Sequence, residues 1–121
     1  MGKSNLLGVW GESLAAEYMK RKRYRIVGSN YQCRLGEIDL ICQNRKYLVF
    51  VEVKLRKTDA FGTGGEFVGA EKQRKVIAAA SMWLQQNPTE LQPRFDVIEI
   101  YAPQGMDTKK PVINHFEDAF Q

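Results

Sequence analysis

Between about Leu6 and Arg23, apolar residues recur at helical spacing. Leu7, Trp10, Leu14, Ala15 and Tyr18 form one stripe, with Ala, Glu, Met and Lys filling the gaps. The pattern predicts an amphipathic helix, with Glu12 at the shoulder of its buried stripe. The segment ends in Lys20-Arg21-Lys22-Arg23, cations that the dipole favours at a helix C-terminus. Arg25–Asn30 reads as a short strand or extended entry. Two stronger strands follow, Glu37–Ile41 and Tyr47–Lys54, the second rich in β-branched and aromatic residues. The polar turn Gln43–Lys46 between them predicts an antiparallel hairpin. Thr58–Gly65, with Gly62, Gly64 and Gly65, is a loop without period.

A second helix is predicted from about Gly69 to Gln86, with Val76, Ile77, Ala80, Trp83 and Leu84 on its apolar face. It stops before Asn87-Pro88, because proline disfavours helical backbone in the residue before it. Phe95–Ile100 is a fourth strand, Pro103–Lys110 a loop, and Ile113–Phe120 a short strand or a helical turn. The order αβββαβ predicts an α/β fold with a mixed central sheet flanked by helices.

The chain has 121 residues, the size of one compact domain, so residues 1–121 are taken as a single unit. With 44% apolar and 26% charged residues, it matches neither a disordered chain nor a disulfide miniprotein. The longest apolar runs, such as Leu48–Val51, fall far short of the roughly 18 residues of a membrane span. Met1–Trp10 lacks the basic-then-apolar pattern of a secretory signal, so the expected compartment is the cytoplasm. Cys33 and Cys42 form no CxxC and are read as free thiols.

Charge is unevenly distributed. Residues 1–60 carry 12 Lys/Arg against 6 Asp/Glu, and residues 61–121 carry 6 against 8, which gives the net +4. A basic half of this kind suits a polyanionic partner, although many soluble proteins have basic faces.

Side chains alternate faces along a strand. Glu52 and Lys54 therefore share one face of the apolar strand Leu48–Val53. Glu37, Asp39 and Ile41 share one face of its partner, and Ile38 and Leu40 the other. Charged groups inside a buried strand are costly unless paired or metal-bound. A hairpin brings Asp39 and Glu52 together on one face, where two carboxylates repel unless a cation or proton lies between them. Hard oxygen donors suit Mg²⁺ or Mn²⁺, and a neighbouring lysine can hold a phosphate or acidify an attacking water. Glu12 could reach the same cation from the first helix. The plainer reading is a solvated strand face with Asp39 as a turn or cap residue. Glu37 is a weaker alternative to Asp39.

Gly36-Glu37-Ile38-Asp39-Leu40-Ile41, followed by Val51-Glu52-Val53-Lys54-Leu55-Arg56, resembles the PD-(D/E)XK nuclease superfamily. More closely, the chain resembles the YraN-like family of small bacterial proteins, related to archaeal Holliday junction resolvases. Other matching pieces are Gly11-Glu12 with Ala15-Ala16 and Tyr18, Asn30-Tyr31, Lys72-Gln73-Arg74, Trp83-Leu84, Arg94-Phe95-Asp96-Val97, His115 and Ala119-Phe120. The resemblance implies a restriction-endonuclease-like core and Mg²⁺- or Mn²⁺-dependent cleavage of DNA, including branched DNA. It implies metal-binding acids at Asp39 and Glu52, a catalytic Lys54, a helix-borne acid at Glu12 and a backbone ligand at Val53. Arg34, Arg56, Lys72 and Gln73 would lie near substrate phosphates. Resolvase relatives act as two-fold dimers, so the resemblance extends to a homodimer. Ile38 stands where the superfamily pattern has proline, and Gln32 where a basic residue is expected.

Other residues carry plainer readings. Lys72 and Gln73 either look inward from the second helix or simply begin it in solvent. His115, the only histidine, is read as structural. Trp10, Trp83, Phe95 and Phe120 are core aromatics. Tyr31 and Phe61 are the better base-stacking candidates, and Gly62–Gly65 is a flap or connector. Three functions compete: a metal-dependent endonuclease, a nucleic-acid-binding module without catalysis, and a protein-binding scaffold.

Overall fold

A computed structural model of the chain describes residues 6–57 and 68–121. The loop Thr58–Gly65 and Phe61 lie outside the described residues. Helix α1 spans Leu6–Arg21. Strands β1 (Arg25–Cys33), β2 (Gly36–Gln43) and β3 (Tyr47–Arg56) follow, then helix α2 (Ala70–Gln86), β4 (Gln92–Tyr101) and β5 (Val112–Phe120). The five strands form one sheet in the order β1-β2-β3-β4-β5. All neighbours are antiparallel except β3 and β4, which run parallel with α2 between them in the chain. A parallel pair requires such a crossover, since no tight turn can return the chain to the same end. No described helix is long and apolar enough to cross a membrane.

Both faces of the sheet are covered, which explains why β3 and β4 read as nearly continuous apolar runs. On one face Ala15 and Met19 of α1 meet Leu40, Cys42, Val49, Val51, Ile98 and Ile100. On the other, Val76, Ala79 and Ala80 of α2 meet Ile38, Ile41, Phe50, Val97 and Phe120. Phe50 stacks on Phe95 at 5.4 Å and meets Trp83 edge-on at 6.0 Å, so Trp83 and Phe95 are core aromatics as expected.

Three expectations change. The first helix ends at Arg21 rather than Arg23, because Arg23 adopts φ 73. There the Tyr24 N–H donates to the Met19 carbonyl and the Arg23 N–H to that of Lys20, a left-handed closure of the helix. The C-terminal segment is a full strand, making the order αβββαββ. Its alternation was hard to read because Asp118 (φ 53) lies where the β4–β5 register shifts between Phe95 and Val97. Finally, Ile38 and Leu40 do not share a face. Ile38 joins the α2 side and Leu40 the α1 side, so regular alternation fails at Asp39.

Candidate active site

The break at Asp39 has a visible cause. β2 and β3 pair through Leu40↔Val51, the last pair at that end of their ladder. Beyond it the Val53 N–H donates instead to Asp39 Oδ2, at 2.9 Å. A strand N–H points along the sheet plane, so the Asp39 carboxylate lies in the gap between the separating strands. Asp39 and Glu52 are thus neighbours, but not by sharing a sheet face as simple alternation predicted. On β1, Ser29↔Leu40 and Tyr31↔Ile38 bracket Asn30, which adopts φ 50. Asparagine tolerates this left-handed conformation better than most residues.

Glu52 lies on the α2 side, with its Oε1 3.5 Å from Lys72 Nζ. It is 4% exposed, and among the described residues its Oε2 is buried without a hydrogen-bond partner. Burial first, and then the nearby Asp39 charge, push its pKa up to about 8. Lys72 and the Asp39 N–H act in the opposite direction. Asp39 is also raised, chiefly by burial, against the pull of the Val53 N–H, Lys72 and Lys54. Glu12 approaches from α1. Burial and Asp39 raise its pKa, and a side-chain hydrogen bond with Asn30 lowers it. Gly11 makes this approach possible, since a Cβ there would stand 3.1 Å from the Leu55 side chain of β3.

Lys54 follows Glu52 by two residues and is close enough to Asp39 to lower its pKa. Its register partner on β4 is Glu99, which is fully buried, with both carboxylate oxygens unpartnered among the described residues. Burial raises the Glu99 pKa, while Arg56 and Lys54 lower it. Neither Asn30 nor Glu99 emerged as a site residue from sequence. The available signals were an asparagine opposite Asp39 and a lone acid flanked by Ile98 and Ile100.

The proposed phosphate contacts divide. Arg34 and Lys72 line one open cleft with Lys75, Gln32 and Glu37. Gln73 Nε2 donates to the Val68 carbonyl at 2.7 Å, so its amide fastens the start of α2 instead of facing outward. Arg56 lies at the end of β3. His115 is structural as expected: its Nε2 meets Asp96 Oδ2 at 2.7 Å, and Arg94 binds both oxygens of the same carboxylate. Cys33 and Cys42 are free thiols.

Among the described residues, no three His, Cys, Asp or Glu side chains stand together as a preformed metal cage. The acids that gather at this gap are Asp39, Glu52 and Glu12, and Val53 is the strand residue whose N–H meets Asp39.

The model of Uncharacterised protein family UPF0102 matches residues 11–100, a span from α1 to β4 that includes every residue of this site. The chain belongs to UPF0102. A UPF0102 protein of Caldanaerobacter subterraneus subsp. tengcongensis is 40% identical over 116 residues, covering 94% of this chain and 93% of its own length. One from Geobacter sulfurreducens is 42% identical over 119 residues, covering 98% and 91%. A third, from Alkaliphilus oremlandii, is 44% identical over 117 residues, covering 94% and 97%. The UPF0102 relatives are therefore collinear with this chain across both helices and the sheet.

Proposed function

We propose that this UPF0102 protein is a divalent-metal-dependent endonuclease of the PD-(D/E)XK type, with a restriction-endonuclease-like core, hydrolysing phosphodiester bonds in DNA, branched DNA included. The observation that carries the reading is the Asp39–Glu52 pair at the point where β2 and β3 part. Asp39 is fixed by the Val53 N–H, and among the described residues Glu52 Oε2 is buried without a hydrogen-bond partner. An orphaned carboxylate oxygen beside a second acid is an environment a hard cation would relieve. Asp39, Glu52 and the Val53 carbonyl would hold Mg²⁺ or Mn²⁺, with Glu12 as the acid from α1.

When bound, such a cation supplies Lewis-acid polarisation of the phosphoryl oxygen and acidification of a water. The chain's own groups do the rest. Lys54 places a positive charge beside Asp39, where it can hold a non-bridging phosphate oxygen and stabilise charge as it develops. Lys72 offsets the Glu52 charge and, with Arg34, presents cations along the neighbouring cleft. Asn30 orients Glu12 through its side chain.

The test is nicking and cleavage of duplex, single-stranded and branched DNA with Mg²⁺ or Mn²⁺, comparing the native protein with Asp39→Ala and Lys54→Ala. The expected result is a loss of at least 10²-fold in each variant, the usual scale for a positioned charge acting on a transition state. Equal cleavage by all three proteins would refute the assignment.

A second reading is a nucleic-acid-binding module that keeps this fold without catalysis. The Lys72 ammonium beside Glu52 Oε1 favours it, since it already supplies a cation to that carboxylate. DNA binding without metal-dependent cleavage by the native protein would select it.

A further inference from the structure

A second charged feature lies at the opposite end of the sheet. An open cleft of about 850 Å³ is lined by Lys22, Arg23, Arg25, Arg45 and Lys46 together with the amides of Gln43 and Asn44. Five cations share this concavity with no carboxylate in its lining. Among the described residues, Arg23, Arg25 and Arg45 have no ion-pair partner, and only Lys22 reaches an acid, Glu117 at 3.7 Å. Like charges gathered this way repel unless an anion enters.

The cleft is built by backbone structure. Arg25 pairs with Gln43 in the β1–β2 ladder, tying its two walls together. Asn44 Oδ1 accepts from the Lys46 N–H (2.9 Å) and the Tyr47 N–H (2.7 Å), fixing the turn that carries Arg45 and Lys46. On the other wall Arg23 occupies the left-handed position closing α1, at φ 73, where glycine is the unstrained choice. The α1 dipole accounts for cations at its own end, but not for Arg45 and Lys46, which come from a different turn.

From these observations we infer that the cleft is a second nucleic-acid contact, gripping the phosphate backbone at a distance from the acid pair. This rests on the nucleic-acid reading above. Asp39 lies four residues along β2 from Gln43, and Glu52 six along β3 from Lys46, or roughly 13 and 20 Å at strand rise. A duplex touching both would span about four to six base pairs at 3.4 Å each.

The test measures binding of a 20-base-pair duplex by fluorescence anisotropy across a salt series in EDTA, so that cleavage does not intervene. The proteins compared are native, Arg25→Gln/Arg45→Gln/Lys46→Gln, and Arg23→Gly. Each lost phosphate contact lowers the log–log salt slope by about 0.9, so the triple variant should lose up to about 2.7 of slope. At 0.1 M salt, referred to 1 M, this corresponds to up to nearly three orders of magnitude in affinity. All three substituted side chains are exposed, so its Tm should stay near that of the native protein. Arg23→Gly should bind more weakly while its Tm rises, a combination that general unfolding cannot produce. If the triple variant binds as the native protein does, the cleft takes some other anion and the inference is overturned, while the acid-pair reading stands. If no protein binds at any salt, the nucleic-acid reading itself falls.

Discussion

Replacing Glu52 with glutamine should stabilise the protein, and the gain should grow with pH. The folded pKa of Glu52 is raised from 4.5 to about 8, first by burial and then by Asp39. In the unfolded chain the group ionises near 4.5. Between these values the folded state holds a proton that the unfolded state has released, so this group lowers stability steadily as pH rises across that window. The displacement corresponds to at most about 5 kcal/mol. Lys72 at 3.5 Å can move closer once the charge forms, and water can enter, so about 2–3 kcal/mol at pH 9 is the working expectation. Glutamine keeps the shape and carries no charge to desolvate.

The assay is urea denaturation in EDTA from pH 5 to 9, comparing native protein and Glu52→Gln. With a urea slope of about 1–3 kcal/mol per molar, the two midpoints should nearly coincide at pH 5 and differ by about 1–2 M at pH 9. Saturating Mg²⁺ should then narrow the gap, because a ligand at 100 times its Kd adds about 2.7 kcal/mol to the protein that binds it. Parallel pH curves would show that Glu52 is not held protonated by its surroundings. Its orphaned oxygen would then give a cation nothing to relieve.

Two further substitutions test what holds the site in place. Asp96 is fully buried and accepts from Arg94, His115 and the Asp118 N–H. Asp96→Ala strands a buried guanidinium and should cost about 3–5 kcal/mol in urea denaturation; Arg94→Met in the same chain should recover much of it. Burial opposes ionisation of Asp96, but the bonds from His115, Arg94 and Asp118 win and hold its pKa down. Its stabilisation is therefore present above pH 3.8 and lost as pH falls below, a loss the alanine variant should not show. Gly36→Ala would place a Cβ 2.7 Å from the Lys75 carbonyl, forcing β2 and α2 apart. A loss of about 1–3 kcal/mol in thermal melts is expected, and an unchanged melt would mean that the contact is slack.

Helices, the β2–β3 hairpin and the core aromatics were legible because periodicity reports burial, and here burial is strong on both sheet faces. Alternation failed at two places where the backbone leaves ideal geometry. At Asp118 a left-handed residue within a register shift left the fifth strand readable only as a short strand or a helical turn. At Asp39 the strands part, and a side chain takes the place of a backbone acceptor. The motif acids were visible from their spacing and from the resemblance they carry. Asn30 and Glu99 were not, because their importance comes from strand pairing and crossover neighbours distant in sequence.

That distinction bears on what the buried acids are for. Among the described residues, Glu52 Oε2 and both Glu99 carboxylate oxygens are buried without a hydrogen-bond partner, and Asp39 is held in the gap beside Glu52. Apolar residues of similar volume at these positions would serve packing as well or better, since removing buried charge is often neutral or stabilising. Asp96 is different: it is paired at every oxygen and needs no role beyond structure. One end of β3 and β4 thus carries charge that the fold tolerates at a loss, and the other carries charge that the fold uses. The proposed chemistry falls at the first, where local preference and global stability disagree.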